Sequence, residues 1–408
     1  MKILLLTQWY PPEPAVLLQE LAQTLQSKGH DVTVLTGFPN YPSGKLYAGY
    51  RLRLFQRQVV GGIPVLRLPL YLDHSLSSMK RTLNYLSFAI SCLLLGFWLV
   101  PRPDVIFVYH PPLTIGLPAW ILSRLWRVKF VYQVQDMWPE TLSATGMIQN
   151  RNLLIIVGRF ARWVYSRAHS ILVISPGFKK NLMDKGVSPE KIHVISNWME
   201  GDISESEVPN VELARRLGLF GRFNIMFAGN IGEAQGLGTV LDAAKCLADQ
   251  PKVQFVLVGD GVALPRLKET AEAQTISNVR FLGRYYPDAM AGLYALADVL
   301  LVHLRDDPLF RITIPHKILS YLGTGKPILA AIAGDAADLV TDAGAGIACP
   351  PGNPQALASA VREFMAMPAE ERRAMGERGL QTMRTRYSRG TLVAEIENIL
   401  AQASTTDC

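Results

Sequence analysis

The sequence is poor in the patterns that build metal and disulfide frameworks. Its four cysteines, Cys92, Cys246, Cys349 and Cys408, lie far apart and form no Cys-x-x-Cys pair. That spacing argues against zinc and against a disulfide scaffold, and it suits a reducing compartment. The seven histidines make no His-x-His or His-x-x-x-His pair. No P-loop motif is present, and no spaced Gly-x-Gly-x-x-Gly opens the first helix. A P-loop nucleotidase is therefore excluded and a dinucleotide site disfavoured. Asp-x-Asp, the usual carboxylate pair for a metal-bound nucleotide diphosphate, is also missing. The charge of any diphosphate ligand would then fall to a helix dipole and cations, with no metal cofactor expected.

Charged residues are scarce, at 18% against 49% apolar, and 408 residues allow two or three domains with cores of their own. The charge is unevenly placed. Residues 1–200 hold 21 Lys and Arg against 10 Asp and Glu, whereas residues 201–408 hold 20 against 24. A basic, apolar N-terminal half predicts an anionic partner. The cations are scattered and no nucleic-acid motif occurs, so an anionic membrane surface ranks ahead of nucleic acid. Met1-Lys2 leads directly into an apolar strand pattern, which does not read as a signal peptide. The 19 uncharged residues from Thr82 to Val100 are long enough to span a bilayer. They lie between segments that read as strands of one sheet, which predicts a buried or membrane-contacting helix instead. Leu153–Tyr165 is apolar too, with Arg151, Arg159, Arg162 and Arg167 around it, a combination suited to a monotopic surface.

Short apolar runs alternate with helical patterns along the whole chain. Strands are predicted at 3–7, 32–35, 65–68, 105–109, 130–134, 171–174 and 193–195. In the second half they fall at 224–228, 254–258, 279–282, 299–302, 328–331 and 346–348. Near-continuous Val, Ile and Leu runs separated by helices indicate parallel sheets covered on both faces. The pattern restarts near residue 223 after a polar stretch. The predicted fold is α/β, with two doubly wound Rossmann-like domains at 1–198 and 223–388, a linker at 199–222 and a C-terminal segment at 389–408. Ligands of such domains bind outside the carboxyl ends of the strands. There lie Gly229-Asn230-Ile231-Gly232, Gly259-Asp260-Gly261 and Gly283-Arg284. Glycines at these points let a backbone approach a ligand, and several in order predict a nucleotide site.

Pro308–Pro327 adds the strongest local signal. Thr313 reads as a helix N-cap and Pro315 as an early helical residue. Arg311 and Lys317 flank this helix start, a seat for a diphosphate. On the other half, Asp136 reads either as a group facing a ligand or as an N-cap for the helix after Pro139. His110, at a strand end, reads either as a ligand contact or as a structural histidine.

With these motifs in hand, the chain resembles the retaining, metal-independent glycosyltransferases of family 4, and among them the WbuB/WcaI-type enzymes of O-antigen and extracellular polysaccharide assembly. The resemblance runs end to end, through QWYPPEPA (8–15), TGFPNYPSG (36–44), Gly49-Tyr50, GIPVLRLP (62–69), QDMWPE (135–140), VISNW (194–198), FAGNIGEAQGL (227–237), VLVGDG (256–261), FLGR (281–284) and PLFRITIPHKI (308–318). It implies the GT-B fold, two Rossmann-like domains facing a central cleft, with a helix near 391–401 crossing back to the first domain. It implies a UDP-sugar donor, an N-acetylhexosamine type above all, and a polyprenyl-diphosphate-linked or other glycan acceptor. The location implied is cytoplasmic, peripheral on the inner face of the plasma membrane.

The resemblance implies roles as well. Arg311, Lys317 and the Thr313 and Ile314 amides would stabilise the leaving diphosphate. Gly229, Asn230, Gly232, Gln235, Gly259, Gly261, Arg284 and Ser320 would bind the donor, while Asp136 and His110 would serve the acceptor side. Three departures stand out. The family's Glu-x7-Glu is Ile312 and Ser320 here, its Arg/Lys pair is Asn230 and Gln235, and its first-loop glycine pair is Pro14-Ala15. A GT-B nucleotide-sugar epimerase and a non-catalytic GT-B partner subunit remain the alternatives.

Overall fold

The computed structural model describes residues 1–73, 77–199 and 208–405; Cys408 and residues 200–207 of the stretch read as a linker lie outside the described residues. The chain forms two compact units, Met1–Asn197 with Arg389–Cys408, and Trp198–Ser388.

The first unit is built on eight strands: β1 (Lys2–Leu6), β2 (Asp31–Gly37), β3 (Gln56–Val60), β4 (Ile63–Leu68), β5 (Val105–His110), β6 (Lys129–Val134), β7 (Ser170–Val173) and β8 (Ile192–Val194). Their order is β3-β4-β2-β1-β5-β6-β7-β8. All neighbours are parallel except β3 and β4, which form a hairpin through Gly61-Gly62, both at positive φ. β3 is the strand that the apolar-run pattern misses. Its QRQVV has three polar residues in five, and alternate residues are exposed, so no apolar run marks it. Helix Val16–Ser27 packs on helix Arg389–Thr405, whose Leu392, Ile396, Ile399 and Leu400 are buried. Glu397 of that helix pairs with Lys28 at 2.6 Å and His30 at 2.8 Å.

Helices Ser78–Leu99, Gly116–Trp126 and Arg151–Arg167 pack on one another in turn. The first is the one helix, among the described residues, long and apolar enough to cross a membrane. The flanking strands β4 and β5 share one sheet, so it lies against that sheet, with only Asn84, Tyr85, Phe88, Ala89, Cys92 and Gly96 buried. Leu83, Leu86, Ile90, Leu94 and Trp98 form an exposed stripe at helical spacing.

The second unit holds β9 (Phe223–Ala228), β10 (Val253–Val258), β11 (Val279–Gly283), β12 (Val299–His303), β13 (Ile328–Ala331) and β14 (Gly346–Cys349). All run parallel in the order β11-β10-β9-β12-β13-β14. Strand alternation feeds two cores. Ile225 and Phe227 of β9 face one, Met226 and Ala228 the other. The stretch read as a linker contributes helix Val211–Leu217 to this unit, with Ala214 in the second core. Asn210 caps it and Gly218 ends it in the left-handed region, two short-range signals outweighed in the sequence by surrounding polarity.

Arg67 on β4 is the largest fully buried side chain. Its guanidinium donates to Gly37 O at 2.9 Å and to Pro11 O, and lies 5.2 Å from the Tyr50 ring centre. Replacing a buried, fully engaged cation strands its partners. Arg67→Met should lower unfolding free energy by about 3 kcal/mol in chemical denaturation, while a Lys45→Met control leaves it nearly unchanged.

Candidate functional site

At the carboxyl ends of β9 and β10 the two backbones touch. A methyl group on Gly259 would lie 1.8 Å from Gly229 O, and one on Gly261 would lie 2.4 Å from Ile231 O. Both glycines, and Gly229, have φ between 136° and 155°. Gly229 N donates to Val258 O and Ile231 N to Asp260 O, at 2.9 and 2.8 Å. The turn that follows is closed by Gln235, whose Oε1 accepts from Gly232 N at 3.0 Å. His303, at the end of β12, bonds Gln235 O through Nδ1 at 2.6 Å. The loop therefore sits where the strand order reverses between β9 and β12, the usual ligand position in such sheets. Gln235, read as a donor-binding group, is chiefly a clasp of its own loop.

Gly229, Asn230, Gly259 and Arg284 line one cavity of 460 Å³ with Tyr285 and Tyr294. The two tyrosines escaped the sequence reading; aromatic residues directly after the Gly283-Arg284 turn were the available signal. Arg284 is exposed.

Lys317 reaches this loop from helix His316–Gly323. An added Cβ on Gly229 would lie 3.1 Å from its Nζ, and the ammonium sits 3.3 Å from the Phe227 ring centre. One turn on, the Tyr321 hydroxyl accepts from Ala228 N at 2.8 Å and donates to Ala228 O at 3.3 Å. That clamp fixes the helix against β9 and so places Lys317. The side chain keeps some exposed surface, but burial of the ammonium pushes its pKa down to about 7. Among the described residues no carboxylate pairs with it.

The rest of the segment differs from the sequence reading. Pro308–Arg311 forms a short helix of its own, capped by Asp307. Thr313 is not the N-cap of the next helix. Its hydroxyl bonds back to Leu309 O at 2.8 Å and its amide donates to Phe310 O at 3.3 Å, so that amide is already engaged. Pro315 holds the N-cap position instead, without a side-chain cap. Ile314 is buried. Arg311 is exposed and bidentate to Asp306, both contacts at 2.8 Å, which matches its charge locally. Ser320 donates to His316 O at 3.3 Å within its own helix.

The first unit also gathers residues at its strand ends. His110 ends β5, fully buried, with neither ring nitrogen hydrogen-bonded among the described residues. Burial lowers its pKa to about 3, so the ring is neutral. It is therefore neither a satisfied structural histidine nor open to direct contact with ligand. It packs edge-on against Trp138 at 5.4 Å, and Trp138, Tyr85, Trp9 and Tyr41 continue the contact in a chain of rings. Asp136 is partly buried and its pKa is raised by burial. It does not cap the next helix, which starts at Glu140 behind Pro139. Glu140 pairs with Lys185 at 2.7 Å.

Glu13 was missed entirely, since one carboxylate among prolines carries no spacing signal. Its Oε1 accepts from the Asn40 and Tyr41 amides, both at 2.9 Å, and its Oε2 from the Tyr10 amide at 3.2 Å. It thereby binds the loop after β1 to the loop after β2. Burial raises its pKa to about 7 against those three bonds and the charge of Arg67.

Two doubly wound units, the second with glycine-tight strand ends around an enclosed lysine, define the GT-B class of glycosyltransferases. Residues 14–198 match the glycosyl transferase 4-like domain and residues 222–367 the glycosyl transferases group 1 domain. The chain belongs to the family 4 glycosyltransferases that join these two domains. It is 27% identical to the putative colanic acid biosynthesis glycosyl transferase WcaI of Escherichia coli K12, over 98% of each chain. The probable glycosyltransferase WbjE of Pseudomonas aeruginosa is 27% identical over 64% of this chain and 66% of its own. Among solved structures, Anabaena HepE in complex with UDP superposes with a TM-score of 0.74 at 19% identity, covering 98% of this chain and 100% of that one.

Gly259→Ala should lower stability by roughly 1–3 kcal/mol, since the methyl meets backbone and the φ is left-handed. Gly238→Ala, helical and in open space, should be neutral or slightly stabilising. The Lys317 shift gives a pH signature. Between about 7 and the ordinary lysine value of 10.5 the unfolded state holds a proton that the folded state lacks. Stability of the free protein should therefore rise with pH through that window and be level below it, as far as this group contributes. Lys317→Met should flatten that rise in denaturation curves recorded across the range.

Proposed function

We propose that the chain transfers a sugar from a UDP-sugar to a lipid-linked glycan acceptor during surface polysaccharide assembly, with retention of anomeric configuration. The observation that carries the reading is Lys317, an enclosed ammonium with no carboxylate partner among the described residues, held against the glycine-tight loop of β9. A diphosphate is the natural counter-ion for a cation placed at a helix start beside glycine-lined strand ends. As the anomeric C–O bond breaks, negative charge grows on the leaving diphosphate. Lys317 would stabilise that charge more than the ground state, which is the condition for lowering the barrier. Among the described residues no group of three or more His, Cys, Asp or Glu has the arrangement to hold a metal ion, and this reading uses none.

UDP as carrier is supported by the likeness to HepE, whose structure contains it. Polysaccharide assembly is supported by the likeness to WcaI. An N-acetylhexosamine is the sugar we favour, as the family resemblance suggests. The ring chain of Trp9, Tyr41, Tyr85 and Trp138 in the first unit suits a glycan, since sugar rings stack on aromatic faces, and Asp136 beside it would orient the acceptor hydroxyl. The exposed apolar stripe of helix Ser78–Leu99 supports a cytoplasmic enzyme resting on the inner membrane face, where a polyprenyl-diphosphate acceptor is presented.

Thermal unfolding with UDP, UDP-N-acetylglucosamine, UDP-glucose, GDP and ADP, with and without EDTA, tests the donor. UDP compounds should stabilise the wild type by about 2.7 kcal/mol at a hundredfold excess over Kd, regardless of EDTA. Lys317→Met should lose most of that shift. A response to GDP alone would change the donor. Silence with every nucleotide would favour the non-catalytic alternative, in which Ser320 in place of a carboxylate marks a degenerate donor site.

A further inference from the structure

A second cationic site lies in the first unit, at the opposite end of its strands from His110 and Trp138. A cavity of 610 Å³ opens where helices Gly116–Trp126 and Arg151–Arg167 end and β6 and β7 begin. Arg124, Arg127, Lys129, Arg167 and Lys191 line it with His169, and among the described residues no Asp or Glu does. The six residues of β6 put it about 17 Å from the carboxyl-end residues, beyond the reach of a group bound there.

Helix ends explain part of this charge. Lys191 donates to Ser166 O at 3.2 Å and Ala168 O at 3.1 Å, and so caps the second helix. A helix C-terminus carries about half a negative charge, too little to balance four more cations. Arg167 lies over the Trp120 ring at 6.0 Å. Trp120 Nε1 is buried without a hydrogen-bond partner among the described residues. His169 is held below its ordinary pKa by burial and then by Lys129, Lys191 and His193, as expected in an uncompensated positive field. The two helices that border the cavity, Gly116–Trp126 and Arg151–Arg167, bring Arg124 and Arg167 to it and contain not one acidic residue. A solvated surface of mixed charge would not look like this. Like charges converging on one cavity repel one another unless an anion is supplied.

We propose that this cavity is a binding site for a phosphate-bearing group, separate from the donor site. Its volume suits a ligand headgroup rather than a single ion. Guanidinium groups favour phosphate because their forked donors match its oxygens. The phosphate has two chemical sources, a soluble polyphosphate or an anionic lipid headgroup. Exposed Leu125, beside Arg124, is placed to rest on acyl chains in the second case.

The test uses the full chain with two probes. Calorimetric titration with inorganic pyrophosphate addresses the soluble source. Co-flotation with vesicles of phosphatidylglycerol and phosphatidylcholine, against phosphatidylcholine alone, addresses the lipid. Arg124→Gln/Arg167→Gln should weaken at least one of these by about tenfold or more, because each lost charged contact is worth that much. Lys129→Gln should do so to a lesser degree. Lys317→Met, in the donor site, should leave vesicle flotation unchanged and remove only the pyrophosphate binding that the donor site contributes, whereas Arg151→Gln/Arg159→Gln, which alters charge away from the cavity, should leave pyrophosphate binding unchanged and reduce flotation less than the cavity pair does. Unchanged melting temperatures confirm that the variants fold. A pyrophosphate effect identifies the soluble source, and a vesicle effect the lipid. If neither probe responds to the cavity variants, or if the Arg151/Arg159 control responds equally, the site does not exist.

Discussion

Lys317 is enclosed by the Phe227 ring and the Gly229 turn without a carboxylate of its own, and much of the second unit is arranged to permit this. A cation taken from water is tolerated only if something offsets the lost hydration. The ring face offers part of that, and a pKa near 7 lets the group stand neutral part of the time. Its position is not adjustable, because Tyr321 clamps the same helix to both backbone groups of Ala228. The loops around it come close only because Gly229, Gly259 and Gly261 have no side chains and accept positive φ. The candidate site therefore rests on backbone shape as much as on charged side chains.

The first unit handles buried charge in another way. Glu13 and Arg67 are both nearly inaccessible, yet each is spent on backbone groups: three amides for the carboxylate, two carbonyls for the guanidinium. Together they tie the strand-end loops containing Trp9 and Tyr41, and so hold the ring chain in place. Such groups hold backbone segments together, whereas Lys317 has no carboxylate partner among the described residues. The contrast between a satisfied and an unsatisfied buried charge separates scaffold from chemistry in this chain.

What could be read in the sequence follows the same division. Thirteen of the fourteen strands were legible, because a strand buried on both faces needs a continuous apolar run. β3 was not, because its QRQVV holds three polar residues in five and no apolar run. The glycine loops and Lys317 were legible through their place at strand ends. The reading failed where geometry depends on competition between bonds. Thr313 suits an N-cap, but the Asp307-capped turn before it draws its hydroxyl back to Leu309, leaving Pro315 at the cap. Arg311 looked like a free cation until Asp306, five residues earlier, took both of its donors. Glu13 and the tyrosines at 41, 85, 285 and 294 were invisible because they act across distant segments.

Net charge is a poor guide to the candidate anion site of this molecule. Residues 201–408 are net acidic, yet they contain Lys317 against the Gly229 loop and Arg284 in the cavity beside it. At physiological salt a charge is felt over about 8 Å, so the local arrangement decides and the sum over a domain does not. Several acidic residues of that half pair with local cations, Glu233 with Arg266, Asp249 with Arg362 and Asp306 with Arg311, and none of these pairs includes the enclosed lysine. In the first half the excess positive charge is concentrated on three packed helices free of acidic residues, one of which exposes a full apolar stripe. The sign of a surface and its apolarity coincide there, and that coincidence on one set of elements, not the total of the chain, is what the proposal of an anionic lipid neighbour rests on.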